Sequence, residues 1–312
     1  MENLYQIITD KFIEALKHGY IPWKQPWTGK GAGPRGFGQN YGYSLLNQML
    51  IEVQAEDRYM ETMAKPEREA LVAKICSGRF LTFQKVQEVG AKINRGAKSY
   101  IVTFFKFYQP KDEAGNPATI TDSNGEVVPR LIPMLRYYRV FSEFDCTGIP
   151  AESEEEREVL NPVERAEEVI RSYTERSQMV YIVKESNRAY YSVNSDCVVV
   201  PSLEQYSDVA EFYSTAYHEL VHSTGHPSRL NRLKCTFLET KEEYSREELV
   251  AEMGSAMSLS RLGIATAKTF RNSTAYLQSW LKALQNDNKM IFWASSRAEA
   301  AVKFIFNEEG VN

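Results

Sequence analysis

Three of the chain's four histidines fall within nine residues, and two of them form the pattern His-Glu-Leu-Val-His over residues 218–222. If this segment is helical, His218 and His222 lie one turn apart on the same face, so both imidazoles can bind one metal ion. Glu219, the residue after the first histidine, can then take a proton from a water molecule bound to that ion. The spacing therefore predicts a hydrolytic metal site with Glu219 as its general base.

A catalytic site of this kind needs a third protein ligand, and several candidates are open at this point. Glu248 is preferred, because a second predicted helix carries it and Glu252 on one face, four residues apart. Glu252 is then expected to hydrogen-bond a ligand histidine on the side away from the metal. It is also the main alternative to Glu248 as the third ligand. His226 follows the predicted end of the first helix, and Glu239 falls in a predicted loop. Ser245 and Glu248 also match a capping box, which is a purely structural interpretation.

The predicted donor set decides which metals fit. Two imidazoles and one carboxylate suit Zn²⁺ best, and they also accept Mn²⁺, Ni²⁺ or Fe²⁺. In the predicted mechanism the metal lowers the pKa of its water, Glu219 accepts the proton, and the hydroxide attacks a polarised carbonyl. We therefore expect Zn²⁺, with Mn²⁺ or another divalent transition metal as the alternative.

Hydrophobic periodicity places this motif inside a helical block. The motif's own helix is predicted over residues 208–224, with Asp208 as its N-cap and Gly225 after its last turn. Strands are predicted at 80–83, 101–108, 137–144, 180–183 and 197–200, and further helices at 44–55, 163–175, 247–261, 274–286 and 297–306. A mixed sheet followed by a helical block predicts an α+β fold.

The charge distribution predicts two domains. Residues 1–148 carry a net charge of +3 and residues 149–312 a net charge of −7. The acidic stretch Glu152–Glu158 follows the boundary and is typical of a solvated linker. We therefore expect an N-terminal α+β nucleic-acid-binding domain over 1–148 and a metal-binding domain over 149–312.

The basic half combines cations with aromatic rings. Residues 79–111 contain seven Lys or Arg residues against the single acid Glu88, and seven Phe or Tyr residues are interleaved with them. Cations along a phosphate backbone and rings for base stacking are what a single-stranded nucleic-acid site needs. Several of these rings are expected in the core instead. The candidate binding residues are Trp23, Trp27, Asn47, Phe83, Lys85, Lys92, Arg95, Lys98 and Lys106.

The overall composition excludes other classes of protein. Hydrophobic residues make up 43% and charged residues 25% of the 312 residues, which is typical of a folded chain. No apolar run is long enough to span a membrane, and the N-terminus lacks the pattern of a secretory signal. The four cysteines form no CxxC pair, so a disulfide scaffold is not expected. We expect a cytoplasmic location instead.

Motifs in both halves resemble a known family. The chain is similar to the ArdC-type antirestriction proteins of plasmids and other mobile elements, and the similarity covers nearly the whole chain. It is carried by residues 21–23 (Ile-Pro-Trp), 41–47 (Tyr-Gly-Tyr-Ser-Leu-Leu-Asn), 81–86, 94–98, 218–226, 229–232, 247–252 and 276–281.

The resemblance implies a domain organisation and a role. It implies an N-terminal single-stranded-DNA-binding domain, a C-terminal zincin-like metallopeptidase domain, and protection of incoming mobile DNA from host restriction. It also implies His218, His222 and Glu248 as metal ligands and Glu219 as the catalytic acid and base. Related N-terminal modules occur in plasmid primases, but this sequence shows no primase motif.

Three functional hypotheses follow. The first is an antirestriction protein that binds single-stranded DNA, with double-stranded DNA as the alternative ligand, and carries a peptidase-like metal site. The second is an intracellular zinc metalloprotease whose basic N-terminal domain recruits a protein substrate. The third is a binding module in which the metal only stabilises the fold. A steep loss of oligonucleotide affinity with salt distinguishes the first from the second.

Overall fold

The computed structural model describes residues 3–24, 33–39, 41–112, 115–121, 125–151, 161–233, 241–264 and 273–308. Its helices are α1 (Leu4–Lys17), α2 (Leu45–Tyr59), α3 (Lys65–Cys76), α4 (Phe83–Glu88), α5 (Pro162–Ser177), α6 (Val209–Thr224), α7 (Lys241–Leu262), α8 (Ser273–Asn286) and α9 (Met290–Ile305). Its strands are β1 (Arg35–Gly36), β2 (Arg79–Thr82), β3 (Lys92–Ile93), β4 (Tyr100–Tyr108), β5 (Thr119–Thr121), β6 (Val127–Pro129), β7 (Ile132–Ser142), β8 (Cys146–Thr147), β9 (Val180–Lys184), β10 (Tyr190–Ser192) and β11 (Cys197–Pro201). The α+β class predicted from the sequence is confirmed.

A four-stranded sheet in the order β1-β2-β7-β4 forms the centre of the first half. β4 pairs antiparallel with β7 along its whole length, from Tyr100 opposite Val140 to Tyr108 opposite Ile132. Aromatic and β-branched residues are frequent in both strands, and such residues favour a pleated surface. The inner part of the sheet shares a buried cluster with α2 and α3, made of Ile51, Ala55, Val72, Ile75, Cys76, Phe80, Tyr100, Val102 and Val140.

Two side chains of α2 bond the backbone of β4, which is an edge strand of this sheet. The Asn47 carboxamide accepts a hydrogen bond from the Thr103 N–H (2.7 Å) and donates one to the Thr103 carbonyl (2.8 Å). Gln54, two helical turns later, accepts from the Ile101 N–H (2.9 Å) and donates to its carbonyl (3.0 Å). The predicted contact between Asn47 and nucleic acid is not compatible with this arrangement, because the side chain is buried and bonded to the sheet edge.

The second half combines a three-stranded sheet with a block of helices. The strand order is β10-β11-β9, with β11 parallel to β9 and antiparallel to β10. β11 is buried through Val198, Val199 and Val200, and α6 packs against it. Helices α7 and α9 pack against α6 from the other direction. The histidine motif on α6 is therefore held between a sheet and two long helices.

The two halves of the chain share one hydrophobic core. Residues of α1 and α2 belong to the same buried cluster as α5, α6, α7 and α9. Hydrogen bonds also join the halves, among them one from the Thr9 hydroxyl to the Asn288 carbonyl (2.7 Å) and one from the Leu45 N–H to the Glu299 carboxylate (3.1 Å). The division into domains 1–148 and 149–312 stays a prediction, and Glu152–Glu158 lies outside the described residues.

Trp23 lies in this shared core. Its ring packs edge-to-face against the Trp280 ring of α8, with centroids 5.3 Å apart, and only 3% of its surface is exposed. The short helical turn that carries it contacts both α2 and α7. The predicted nucleic-acid contact of Trp23 is therefore corrected, because a side chain buried between the halves offers no face for a base. Trp27, the second predicted tryptophan, lies outside the described residues.

Several element boundaries differ from the sequence prediction. α7 begins at Lys241 and α9 at Met290, several residues before the predicted starts. Ser245 is therefore inside α7, where its hydroxyl hydrogen-bonds that of Ser279 (2.7 Å), and it does not cap the helix. Helices α3 and α4 were not predicted. No helix in the described ranges is long and apolar enough to cross a membrane.

Candidate metal centre

Helix α6 places the two motif histidines side by side. Asp208 caps its N-terminus by accepting a hydrogen bond from the Ala210 N–H (2.9 Å), and the helix ends at Gly225. The Nε2 atoms of His218 and His222 lie 3.1 Å apart, and their rings meet edge-to-face. Both imidazoles therefore direct one nitrogen towards the same point, as their four-residue spacing predicts.

Helix α7 approaches α6 closely enough to bring a carboxylate to that point. A Cβ atom added at Gly254 would lie 2.7 Å from a methyl carbon of Val221, so a glycine is required where the helices meet. One oxygen of Glu248 lies 3.5 Å from His218 Nε2, and the other lies 3.4 Å from His222 Nε2. Glu248 and Gly254 are six residues apart on α7, so close helix packing and the position of the carboxylate are coupled.

The three side chains fit a metal ion. The donor atoms of His218, His222 and Glu248 all lie within 4.8 Å of one another. Tetrahedral coordination with bonds of about 2.0–2.1 Å separates donor atoms by about 3.3 Å. The two Nε2 atoms, 3.1 Å apart, are close to that separation, and each lies 3.4–3.5 Å from a different oxygen of Glu248. Three protein donors leave a fourth position for water, which is the arrangement of catalytic zinc sites.

The other candidate ligands lie elsewhere. A Glu252 oxygen lies 4.0 Å from His218 Nδ1, the ring nitrogen on the side away from the shared point. This position suits a residue that orients the histidine, as predicted, better than a direct ligand. His226 is not part of the donor group in the described residues, and its Nδ1 accepts a hydrogen bond from the Ser228 N–H (3.1 Å). Glu239 lies outside the described residues.

Sequence reasoning missed the residue behind the second histidine. Glu247, which is 3% exposed, lies with one oxygen 3.5 Å from His222 Nδ1. Arg232 holds this carboxylate through two contacts at 2.9 and 3.3 Å. The same guanidinium donates to the Val221 carbonyl and the Thr224 hydroxyl of α6, both at 2.8 Å. Glu247 and Arg232 therefore orient His222. The sequence feature that could have indicated this role of Glu247 is its place next to Glu248, because neighbouring side chains leave a helix about 100° apart.

The carboxylates shift the pKa values of the site histidines. Burial alone lowers the pKa of His222, but hydrogen bonds with Glu247 and Glu248 outweigh it and raise that pKa to about 10. Burial also lowers the pKa of His218, but its hydrogen bond with Glu248 and the charges of Glu219 and Glu252 together outweigh this and raise that pKa. Burial raises the pKa of Glu248, but hydrogen bonds with both histidines outweigh this and hold the pKa well below its usual range. In the absence of metal, His222 is therefore expected to carry a proton at neutral pH.

Metal binding is therefore expected to release protons. A metal takes the Nε2 atoms of His218 and His222 only in their neutral form, so on the order of one to two protons leave per ion at neutral pH. The apparent metal affinity should rise about tenfold per pH unit for each proton released, between about pH 7 and about pH 9. Titration calorimetry in two buffers of different ionisation enthalpy measures this number. A heat that is the same in both buffers, with a pH-independent affinity, would contradict the protonated state described above.

The predicted nucleic-acid residues outside the core lie on the surface of the first half. Phe83 begins α4 and is 59% exposed, and Lys85 on the same helix forms an ion pair with Glu88 (3.1 Å). α4 contacts β3, which begins with Lys92. The remaining predicted cations are exposed on the turn after β3 and on β4, and they are Arg95, Lys98 and Lys106.

Two histidines of one helix and a glutamate of the next define a metal site of the zincin type. In agreement with this class, residues 164–297 match the model of a zincin-like metallopeptidase family. Residues 2–141 match the model of the N-terminal domain of the anti-restriction factor ArdC. The two halves of the chain therefore match the two domains of the ArdC-type antirestriction proteins, and the resemblance stated from the motifs is confirmed.

Solved structures of one relative cover the whole chain. The metal-free crystal structure of the antirestriction ArdC protein from the R388 plasmid is 27% identical, with a TM-score of 0.72 and 98% of each chain covered. The Mn(II)-bound structure of that protein is 25% identical, with a TM-score of 0.70 and both chains covered in full. A curated relative, the DNA primase TraC of Escherichia coli, is 29% identical over 303 residues. That alignment covers 95% of this chain and 19% of the primase, so the chain spans only a small part of that relative's length.

Proposed function

We propose that this protein protects incoming mobile-element DNA from restriction by binding it as a single strand through the first half of the chain. The observation that carries the proposal is an exposed surface of cations and aromatic rings in a chain that matches the domains of the antirestriction proteins. Lys92, Arg95 and Lys98 are exposed around one short turn, and Phe83 on the neighbouring helix presents an open ring. Cations for phosphates beside rings for bases are suited to a single strand.

The proposal includes a divalent metal at the α6–α7 site. His218, His222 and Glu248 would hold it, and this donor set favours Zn²⁺, with Mn²⁺ as the alternative. Such a metal supplies a polarised, acidified water for hydrolysis. One structure of the R388 ArdC protein is Mn(II)-bound, which supports a divalent metal in this chain as well.

Glu219 is the group that would move the proton in peptide hydrolysis. It follows His218 directly on α6 and is only 9% exposed, so its carboxylate works in a sheltered environment. It accepts the proton of the attacking water and delivers it to the nitrogen of the leaving amine. Glu247 and Glu252 keep the two histidines oriented by contacts at their Nδ1 atoms. The expected substrate class is a polypeptide.

Charge reversal tests the nucleic-acid part of the proposal. The triple variant Lys92→Glu, Arg95→Glu, Lys98→Glu should bind a single-stranded oligonucleotide at least about tenfold more weakly than the wild type, because phosphate contacts dominate such affinity. The slope of log affinity against log salt should decrease by about 0.7 for each phosphate that the variant no longer neutralises. Fluorescence anisotropy at several salt concentrations measures both quantities.

A control variant separates local contacts from total charge. Arg171→Glu, Lys184→Glu, Arg188→Glu makes the same change in net charge at exposed positions of the acidic half. It should keep wild-type oligonucleotide affinity to within about twofold, since charges beyond a Debye length of about 8–10 Å are largely screened. Equal losses for both variants would reject the basic turn as the binding surface. A wild-type protein without salt-dependent oligonucleotide affinity would reject DNA binding, and the metalloprotease hypothesis would replace it.

A further inference from the structure

The outer part of the β4–β7 ladder projects beyond the core. Its inner residues Tyr100, Val102 and Val140 are 0–1% exposed, whereas every residue of 104–108 and nearly every residue of 132–139 is exposed. We call the segment formed by residues 104–108 and 132–138 the arm. Contiguous exposed apolar patches are uncommon on folded proteins and mark sites of interaction. The arm carries six exposed aromatic residues, which are Phe104, Phe105, Phe107, Tyr108, Tyr137 and Tyr138.

The strand register separates the side chains of the arm onto two faces. In an antiparallel ladder, directly opposite residues share a face and successive residues alternate. Phe104 lies opposite Arg136, and Lys106 lies opposite Met134. One face therefore carries Phe104, Lys106, Tyr108, Arg136 and Tyr138. The other face carries Phe105, Phe107, Leu135 and Tyr137, and the next cation along it is Arg139, which lies inward of the arm opposite Ile101.

The first face continues onto the segment before α2. The Tyr138 ring meets Phe104 edge-to-face, with centroids 5.8 Å apart, and its hydroxyl is hydrogen-bonded to that of Tyr43. Tyr41, two residues before Tyr43, lies near Tyr138 and is 68% exposed. Rings from two separate segments therefore meet at Tyr138, through its ring contact with Phe104 and its hydrogen bond with Tyr43. The rings of Tyr41 and Phe104 keep open surface.

The two cations of this face have no carboxylate partner within the part of the chain that the structure describes. Lys106 and Arg136 make no ion pair with any carboxylate of the described residues, although ion pairs are present elsewhere in the first half, as between Arg79 and Glu143 (2.6 Å). Cations that lie beside open rings match a ligand in which anionic groups and flat apolar groups alternate. Single-stranded nucleic acid has this chemistry, and such sites combine a basic track with aromatic stacking.

We propose that the first face of the arm, with Tyr41, Phe104, Lys106, Arg136 and Tyr138, is a base-stacking platform for single-stranded nucleic acid. The inference rests on the proposed function and adds a second binding surface to it. The basic turn around Arg95 holds phosphates, whereas the arm holds bases through Tyr41 and Phe104, and Arg136 and Lys106 pair with the adjoining phosphates. The platform reads no sequence, because every base offers a ring face.

The test compares two ligands and the two faces. An oligothymidylate and an abasic oligonucleotide of equal length carry the same phosphates, but only the first has bases to stack. Phe104→Ala and Tyr41→Ala should each lower oligothymidylate affinity by between about 5-fold and about 150-fold, the range for loss of one stacked base. Neither variant should change affinity for the abasic ligand by more than about twofold. Arg136→Glu should weaken binding of both ligands and reduce the salt slope by about 0.7.

Phe107→Ala is the matched control, because it removes an exposed ring (60% against 44% for Phe104) from the other face of the same arm. It should leave affinity for both ligands unchanged. If Phe104→Ala and Tyr41→Ala leave oligothymidylate affinity unchanged while the charge reversal at residues 92, 95 and 98 lowers it, this inference is wrong and the proposed function stands. If Phe107→Ala weakens binding as much as Phe104→Ala, the assignment of the face is wrong. If losses are equal on both ligands, the arm does not act by stacking and this inference is wrong.

Discussion

Glu248→Ala is expected to lower the affinity for Zn²⁺ by more than about 100-fold, because changes in residues that merely orient a ligand already cost about 10- to 100-fold. The carboxylate contributes one of three donors, with oxygens 3.5 and 3.4 Å from the two imidazole nitrogens. Without it His218 and His222 form an incomplete donor set. Competition with a chromogenic chelator measures the affinity directly and requires no knowledge of a substrate.

Variants at other acidic residues of α6 and α7 test whether the loss of metal affinity is specific to Glu248. Glu247→Ala and Glu252→Ala should each cost about 10- to 100-fold in metal affinity, because they orient the histidines. Glu243→Ala, at an exposed position of the same helix, should have no effect. Glu219→Gln should keep the metal, since this carboxylate is not one of the three donors. It should lose hydrolysis, because the amide cannot accept the proton of the attacking water. A larger loss for Glu252→Ala than for Glu248→Ala would show that Glu252 is the ligand, and loss of metal in Glu219→Gln would show that its role is wrongly assigned.

Trp23→Ala is expected to lower the free energy of unfolding by about 3–5 kcal/mol, the usual cost of removing a buried large aromatic side chain. The indole packs against Trp280 of α8, and its segment contacts α2 and α7. The cavity would therefore open between the two halves of the chain, beside the helix that carries Glu248. Urea denaturation monitored by circular dichroism measures the change, and Trp23→Phe should show a smaller loss if Trp23→Ala does not fold.

Phe83→Ala gives the matched comparison, because it removes an aromatic ring that is 59% exposed. Its free energy of unfolding should change by no more than about 0.5 kcal/mol, as for most surface substitutions. Its affinity for single-stranded DNA should fall, whereas folded Trp23→Phe should bind DNA as the wild type does. A Trp23 variant with unchanged stability and weaker DNA binding would show that the tryptophan acts at the surface after all.

The basic half shows where sequence reasoning lost accuracy. Trp23 and Phe83 are both aromatic residues in basic surroundings, yet one is buried between two helices and the other is exposed. Asn47 belongs to a family motif, but its carboxamide bonds the edge of β4, which is 56 residues away in the chain. Composition predicts that such a region contains cations and rings. It does not predict which face each ring occupies, because burial depends on the packing of distant segments.

Some features of the metal site are likewise local to one helix, whereas others depend on contacts between distant segments. The pairing of His218 with His222 is a local property, because a helix brings residues four apart to one face whatever surrounds it. The position of Glu248 depends on two helices, and it requires the close approach at Gly254 and Val221. The roles of Glu247 and Arg232 depend on a segment that returns to α6 after the helix ends.

The amino-acid sequence by itself determined the α+β class, the family resemblance, the motif helix and the chemistry of its side chains, since these follow from residue type and short-range spacing. Tertiary structure alone decided that a carboxylate from α7 meets the two imidazoles, that Trp23 and Asn47 are structural, and that the arm exposes rings and cations on one face. Those features arise from contacts between residues far apart in the chain, and a periodicity of 3.6 or 2 residues carries no information about them.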